Sequence, residues 1–322
     1  MQLLGKIKNL TVPDSRDLKT FSAIEVKKNS NHLIGINNQN EIAILFDSKE
    51  PKSKGDALEF IELTHNENCS ILDGKNSSNK NYSVLKCSIK NIYLKELFLK
   101  LLENIILEIP NQVSQKEISE LTKNIFDLFT AIKKPSRETL IGLWGELFTI
   151  NASNNVEDLV KAWHPETTDR FDFYSQNQAL EIKTTTSNNR IHNFSYEQLS
   201  ASNEKLVISS LMLRFSRSGK SLDDLKKEIL DQVQNKDLRD KFDINYYKTI
   251  GDINHEDIEE HKYDYSYASE NIKYFDLLNI PRLTEKPMEG VKKIKYQSDL
   301  TGIKSINFFE ENSFYKNLLM PK

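Results

Sequence analysis

Between residues 20 and 90 the apolar positions come in short runs: AIEVKK (23–28), HLIGI (32–36), EIAILF (41–46), ALEFIEL (57–63) and YSVLKCSI (82–89). Clusters of Asn, Ser, Gly and Asp separate them. Runs of this length, alternating or wholly apolar and bounded by turn residues, predict the strands of a small antiparallel sheet or barrel. At Ile92 the period changes. Leu94, Leu97, Phe98, Leu101, Leu102 and Ile105 recur at helical spacing, and Pro110 stands just beyond. A second helix opens at Ser114, whose spacing to Glu117 is that of a capping box.

A third helix starts at Pro135-Ser136 and carries Leu140, Trp144, Leu147 and Phe148 on one face. Two short strands follow, 170–175 and 179–186, with a polar turn between them. Residues 205–215 are almost continuously apolar, as in a strand covered on both faces, and 221–234 reads as a helix. With a short helix around Gln198 between the second and third strands, the order helix, strand, strand, helix, strand, helix marks an α/β unit. Beyond Lys241 the tyrosine-rich stretch 263–267 reads as a strand with one wet face, and VKKIKYQ (291–297) as a solvated edge strand. The expected organisation is a β-rich N-terminal domain (1–90), a helical connector (91–135), an α/β core (136–240) and a mixed C-terminal extension (241–322), α+β overall.

With 322 residues the chain has the length of two domains, and 28% charged against 38% hydrophobic residues excludes collagenous and wholly disordered classes. No stretch approaches the roughly 18 apolar residues of a membrane span, and MQLLGKIKNL lacks the apolar run of a signal peptide, so the expected location is the cytoplasm, with no membrane partner. Cys69 and Cys87 are too few for a disulfide framework and too far apart for a CxxC pair. The net charge of −3, from 44 Lys+Arg and 47 Asp+Glu, means that any nucleic-acid binding must be local. No P-loop, G-x-S-x-G, H-E-x-x-H or paired CxxC occurs, which ranks NTPase, triad-hydrolase and zinc readings low.

The chemistry concentrates in the two short strands. A two-residue turn at Gln176-Asn177 sets Asp172 opposite Glu181 and Arg170 opposite Lys183. Opposed carboxylates repel unless a cation lies between them. Alternation puts Glu181 and Lys183 on one face, with Leu180 and Ile182 turned to the core. Glu146 lies off the apolar stripe of the preceding helix, where Gly142 and Gly145, each costing about 1 kcal/mol relative to Ala, permit close approach to a neighbour. Three acids and a lysine would suit Mg²⁺ or Mn²⁺ and phosphodiester hydrolysis.

Glu146, Phe171-Asp172 and Glu181-Ile182-Lys183 together resemble the PD-(D/E)XK nuclease superfamily. GLWGELF (142–148), Trp163, DRFDF (169–173), EIKTT (181–185), His192 and EQL (197–199) are similar, more narrowly, to the PD-(D/E)XK-motif proteins of bacterial restriction and phage-defence systems. Phe171 stands where the superfamily name has Pro. The resemblance covers about residues 136–215 and implies a restriction-endonuclease-like core and a Mg²⁺- or Mn²⁺-dependent DNA endonuclease or nuclease subunit. In it Asp172 and Glu181 bind the metal with the Ile182 carbonyl, Glu146 binds the metal or its waters, and Lys183 orients or deprotonates the attacking water. Gln198 would lie near the scissile phosphate. The implied partner is DNA; the near-neutral charge points to a targeting subunit, such as a helicase or methylase, that supplies much of the DNA affinity, and two-strand cleavage would favour a homodimer with two sites.

Each feature has a plainer reading. Asp172 and Glu-x-Lys also fit a solvated sheet face with cross-strand ion pairs. His192 suits capping or packing better than a general base, Gln198 an exposed helix surface, and Trp144 and Trp163 the core. The alternative functions are an inactive nuclease-fold scaffold or DNA-binding subunit, and an RNA nuclease.

Overall fold

The computed structural model describes residues 2–306 except 49, 52, 74–75, 132–135, 165–169, 201–204, 254 and 286. Pro135 and Asp169, both used above, lie outside the described residues. The chain forms two compact units, 1–134 and 135–322.

The first unit runs α1 (Gln2–Lys8), β1 (Thr20–Glu25), β2 (Leu33–Asn37), β3 (Ile42–Phe46), β4 (Ile61–Asp73), β5 (Asn76–Cys87), α2 (Ile92–Glu108) and α3 (Gln115–Ala131). Its strands close into a barrel of order β1-β2-β3-β5-β4, antiparallel except where β1 meets β4. Period two explains why β3 is buried along its whole length: Ile42, Ile44 and Phe46 pack with Phe98 and Leu102 of α2, while Ala43 and Leu45 join Phe21, Val84 and Ile71 in a second cluster. The expected strand at 57–63 is shorter than its apolar pattern. Only Ile61 onward is ladder, and β4 then continues through the polar HNENCS to pair with an equally polar start of β5. Amide contacts such as Asn68 to Asn81 (2.8 Å) link the two polar strands of that hairpin, so hydrophobic alternation could not reveal it. Asn91 caps α2, and the Ser114–Glu117 box opens α3, with the Ser114 amide donating to Glu117 Oε2 at 2.8 Å. Both cysteines are buried and free, with burial pushing the Cys69 thiol up to about 12 and the Cys87 thiol up to about 11.

The second unit runs α4 (Arg137–Asn151), α5 (Val156–Ala162), β6 (Phe173–Ser175), β7 (Gln178–Thr185), β8 (Ile191–Ser195), α6 (Tyr196–Leu199), β9 (Lys205–Met212), β10 (Phe215–Lys220), α7 (Leu222–Gln232), α8 (Lys236–Ile250), α9 (His255–Glu260), α10 (Tyr265–Glu270), β11 (Ile272–Asp276) and β12 (Lys295–Asp299). Its sheet has the order β11-β9-β7-β6, with β7 and β9 parallel at the centre. Parallel neighbours need a crossover, and β8 with α6 lies in it. Residues after 241 complete this unit, since β11 is an edge of the sheet and β12 pairs with β8.

Two expectations here are corrected. The tyrosines at 263–267 do not form a wet-faced strand: Tyr263 is buried against Trp144, and Asp264 caps α10, accepting from the Tyr267 amide. Asp is a strong N-cap, and that local bond outweighs the strand preference of the tyrosines. The basic strand starts only at Lys295 and runs on to Asp299, because its pairing partner β8 spans just Ile191 to Ser195.

Candidate active site

Gln176 and Asn177 both have positive φ (50° and 59°), the backbone of a tight hairpin turn. It sets Phe173 against Leu180 and Tyr174 against Ala179, the register expected from a two-residue loop. Asp172 stands one residue before β6, and its Oδ2 accepts the Ile182 amide at 2.7 Å, which ties its carboxylate to β7 beside Glu181. The ladder begins at Phe173, so the expected cross-strand pairs Asp172–Glu181 and Arg170–Lys183 both fall outside it, and Asp172 reaches β7 through its side chain instead. Arg170 instead lies over the Phe171 ring, and Lys183 Nζ sits 2.7 Å from Glu181 Oε1 and 5.0 Å from the Phe194 ring centre.

Glu181 is only 3% exposed, so the face it shares with Lys183 is not a solvated one. Its Oε1 also accepts from Gln198 Nε2 at 2.6 Å. Gln198 can reach it because it is the third residue of α6, where its own Oε1 accepts the Ser195 amide and completes a capping box. Glu181 Oε2 is buried with no hydrogen-bond partner among the described residues. An unsatisfied buried carboxylate oxygen costs several kcal/mol, roughly, unless a cation or water takes it.

Glu146 arrives on α4, and Gly145 is what lets the helix lie on β7. A Cβ there would stand 2.3 Å from Thr184 Cγ2 and 3.2 Å from Ile182 Cγ2. The same argument fails at Gly142, where a Cβ would meet nothing within 4 Å. Glu146 Oε2 accepts from Trp163 Nε1 at 2.7 Å and lies 3.1 Å from His164 Nε2. Trp163 is core, as expected, with 0% exposure, but its indole N–H also orients this carboxylate. His164 was not singled out from the sequence. In the sequence it is marked only by following Trp163; the structure places it, because Trp163 bridges to Phe173 and the His164 amide donates to the Asp172 carbonyl at 3.0 Å. Glu146, His164 and Asp172 thereby each present one ligand atom within 4.8 Å of one another.

His192, by contrast, is buried under β9. Its Nε2 lies 2.7 Å from Ser210 Oγ, and burial, helped by Lys183 and Arg190, lowers its pKa to about 4. It holds a packing position in the neutral form.

The electrostatics of the cluster follow from its geometry. Burial, then the nearby Glu181 and Glu146 charges, hold the Asp172 pKa well above the usual carboxylate range. Burial also raises Glu181, against the pull of Lys183. For Lys183 burial works downward, but Glu181 and Asp172 outweigh it and its pKa is raised, so it stays an ammonium.

Over residues 7–301 the sequence matches the family described as "Putative PD-(D/E)XK family member" (DUF4420). The chain belongs to that family. The DUF4420 match spans both units, well beyond the residues 136–215 that carry the motif resemblance. Within the matched residues, Phe171, directly before Asp172, is a buried core residue. No match was found among curated proteins or among solved structures. Among the described residues of this DUF4420 protein, no helix is long and apolar enough to cross a membrane.

Proposed function

We propose that the protein is a divalent-cation-dependent phosphodiesterase that cuts DNA, as an endonuclease or the nuclease subunit of a bacterial restriction or anti-phage assembly. Family membership supports the nuclease chemistry. The observation that carries the rest is the orphaned Glu181 Oε2, buried among Asp172, Glu146 and Lys183. A cluster whose acids are this hard to ionise together, yet which contains a fixed ammonium, is suited to a cation and a phosphate.

Asp172 and Glu146 would hold the ion together with His164, and the unpartnered Oε2 of Glu181 would face it from the same group of charges. When bound, the ion supplies neutralisation of phosphate charge and activation of water. Lys183 is held by Glu181 in the charged form, so it orients the attacking water and stabilises the charge that develops on the phosphoryl oxygens; it does not act as the base. Gln198 fixes the Glu181 carboxylate, and Trp163 fixes that of Glu146.

A cleft of about 640 Å³ in the same unit is lined by Arg137, Arg217 and by Lys262, which is ion-paired with Glu259, and the exposed ring of Phe215 stands at it, so it offers arginine cations and one ring face to a polynucleotide. A net charge of −3 leaves little long-range attraction for DNA, which favours a partner subunit, such as a helicase or methylase, that brings the substrate.

The test is cleavage of modified and unmodified duplex DNA, and of RNA, by the purified full chain with Mg²⁺ or Mn²⁺, repeated with Asp172→Asn. Metal-dependent DNA cutting lost in the variant supports the reading. Cutting of RNA alone reassigns the substrate, and ion binding with no cutting, even alongside the proteins encoded by neighbouring genes, favours the scaffold reading.

A further inference from the structure

His164 lies beside the acids but outside the acid-and-lysine pattern, with its ring centre 5.5 Å from that of Trp163. Its backbone φ is 39°, in the left-handed region, which a non-glycine residue enters only when its surroundings hold it there. Those surroundings are specific. On one side the His164 amide donates to the Asp172 carbonyl at 3.0 Å, and Trp163 bridges to Phe173, so the backbone is tied to the start of β6. On the other side the imidazole points at Glu146 Oε2 with an Nε2 separation of 3.1 Å. Trp163 Nε1 already donates to that same oxygen at 2.7 Å, which means the carboxylate does not depend on His164 for a hydrogen bond.

We infer that His164 is a direct nitrogen ligand of the cation bound by Glu146 and Asp172, and that it makes the site prefer first-row transition ions over Mg²⁺. The inference rests on reading the cluster as a divalent-cation centre. A nitrogen and an oxygen 3.1 Å apart are spaced like adjacent corners of an octahedron whose ligands lie about 2.2 Å from the ion. The three ligand atoms, from Glu146, His164 and Asp172, all lie within 4.8 Å of one another, so small side-chain rotations bring them onto one ion. The buried Oε2 of Glu181 adds a further unpartnered oxygen in the same group of charges.

The preference follows from donor chemistry. Mg²⁺ takes oxygen donors and keeps several waters, so an imidazole adds little to its binding. Transition ions accept imidazole nitrogen readily, and their affinities rise from Mn²⁺ through Co²⁺ and Ni²⁺. Mn²⁺ is the weakest of that series, which makes it the most stringent probe, and its electron spin reports directly on bound nitrogen.

The experiment is titration of the full chain with Mn²⁺ and with Mg²⁺ by calorimetry, without DNA, together with pulsed electron spin resonance of the Mn²⁺ form. Wild type should bind Mn²⁺ at least ten times more tightly than Mg²⁺ and show modulation from one directly coordinated nitrogen. Loss of a partner that merely orients a ligand costs about 10–100-fold in metal affinity, so His164→Ala should weaken Mn²⁺ by at least that much while Mg²⁺ changes by less than about threefold. His164→Asn, which tolerates positive φ and offers an oxygen, should restore folding if alanine does not, and should still lack the nitrogen signal. Mn²⁺ bound by wild type without nitrogen modulation, or equally tightly by His164→Asn, overturns the inference and leaves the carboxylate site standing. Failure of wild type to bind either ion overturns the cation site itself, a result that cleavage assays would report separately.

Discussion

Gln198 Nε2 donates to Glu181 Oε1 at 2.6 Å, so one short helix caps itself and fixes an acid of the candidate site with the same side chain. The glutamine spans the two because its Oε1 is occupied by the Ser195 amide, leaving the NH₂ group turned to β7. Gln198→Ala removes both bonds. Cleavage should fall roughly tenfold, as expected when one positioned donor is lost without loss of a metal ligand, and stability should drop by about 1 kcal/mol through the broken cap. Single-turnover cleavage and a denaturant melt read the two effects separately. A melt that shifts while the rate stays at the wild-type value leaves Gln198 with only the capping role.

Gly145 and Gly142 make a matched pair on α4. Gly142→Ala places a methyl in open space and should stabilise by up to about 1 kcal/mol through helix propensity. Gly145→Ala drives its methyl into Thr184 and should destabilise by about 1–3 kcal/mol despite the same propensity gain. Adding Thr184→Ser, which deletes the clashing methyl, should recover part of the loss. Urea midpoints of the four proteins decide it, and equal effects at the two glycines would show that α4 does not need its close approach to β7.

Lys183 can be separated from the metal ligands. Lys183→Ala should leave ion binding and the melt close to wild type while cleavage falls by about 10²–10³-fold, the usual cost of one donor to a developing oxyanion. Lys183→Arg should rescue poorly, because a planar guanidinium does not fit the position of an ammonium held 2.7 Å from Glu181. Cutting at the wild-type rate by the alanine variant would sink the proposed role.

Stability of the metal-free protein should depend on pH in an unusual direction. Asp172 and Glu181 have pKa values raised in the folded state, so the native form binds protons that the unfolded chain has already lost. Their contribution is fully present below the ordinary carboxylate range, about pH 4, and is lost as pH rises through the folded pKa values. Asp172→Asn removes the group that causes most of this loss. In a chelating buffer the variant should therefore gain on wild type in melting temperature as pH increases from 4 to 7. Mn²⁺ should cancel the gap by stabilising wild type alone, by about 2.7 kcal/mol at a hundred times its dissociation constant. Parallel melting curves for the two proteins across that range would remove the electrostatic argument.

What the sequence determined by itself was local. The turn at Gln176-Asn177 set the hairpin register of Phe173–Ser175 on Gln178–Leu180, because a two-residue loop admits only one pairing. The caps at Asn91, Ser114 and Ser195 likewise depend on residues within three positions of one another. The resemblance to the family was legible for a related reason, since the residues that carry it are close in sequence, with Glu146 on α4, Asp172 just before β6, and Glu181 and Lys183 on β7.

Tertiary structure decided everything that depends on contacts between distant segments. Only packing brings His164 to Glu146 and makes Trp163 a hydrogen-bond donor as well as a core residue, eighteen and seventeen positions away in the chain. The burial of Glu181, which turns a plausible surface ion pair into a buried one with an orphaned oxygen, accompanies contacts from outside its hairpin, Gln198 of α6 among them. The place of β11 at the sheet edge comes from pairing with β9, more than sixty residues earlier. Hydrophobic period records which face of an element is buried but not which partner buries it. The charges at this site acquire their properties from that partner.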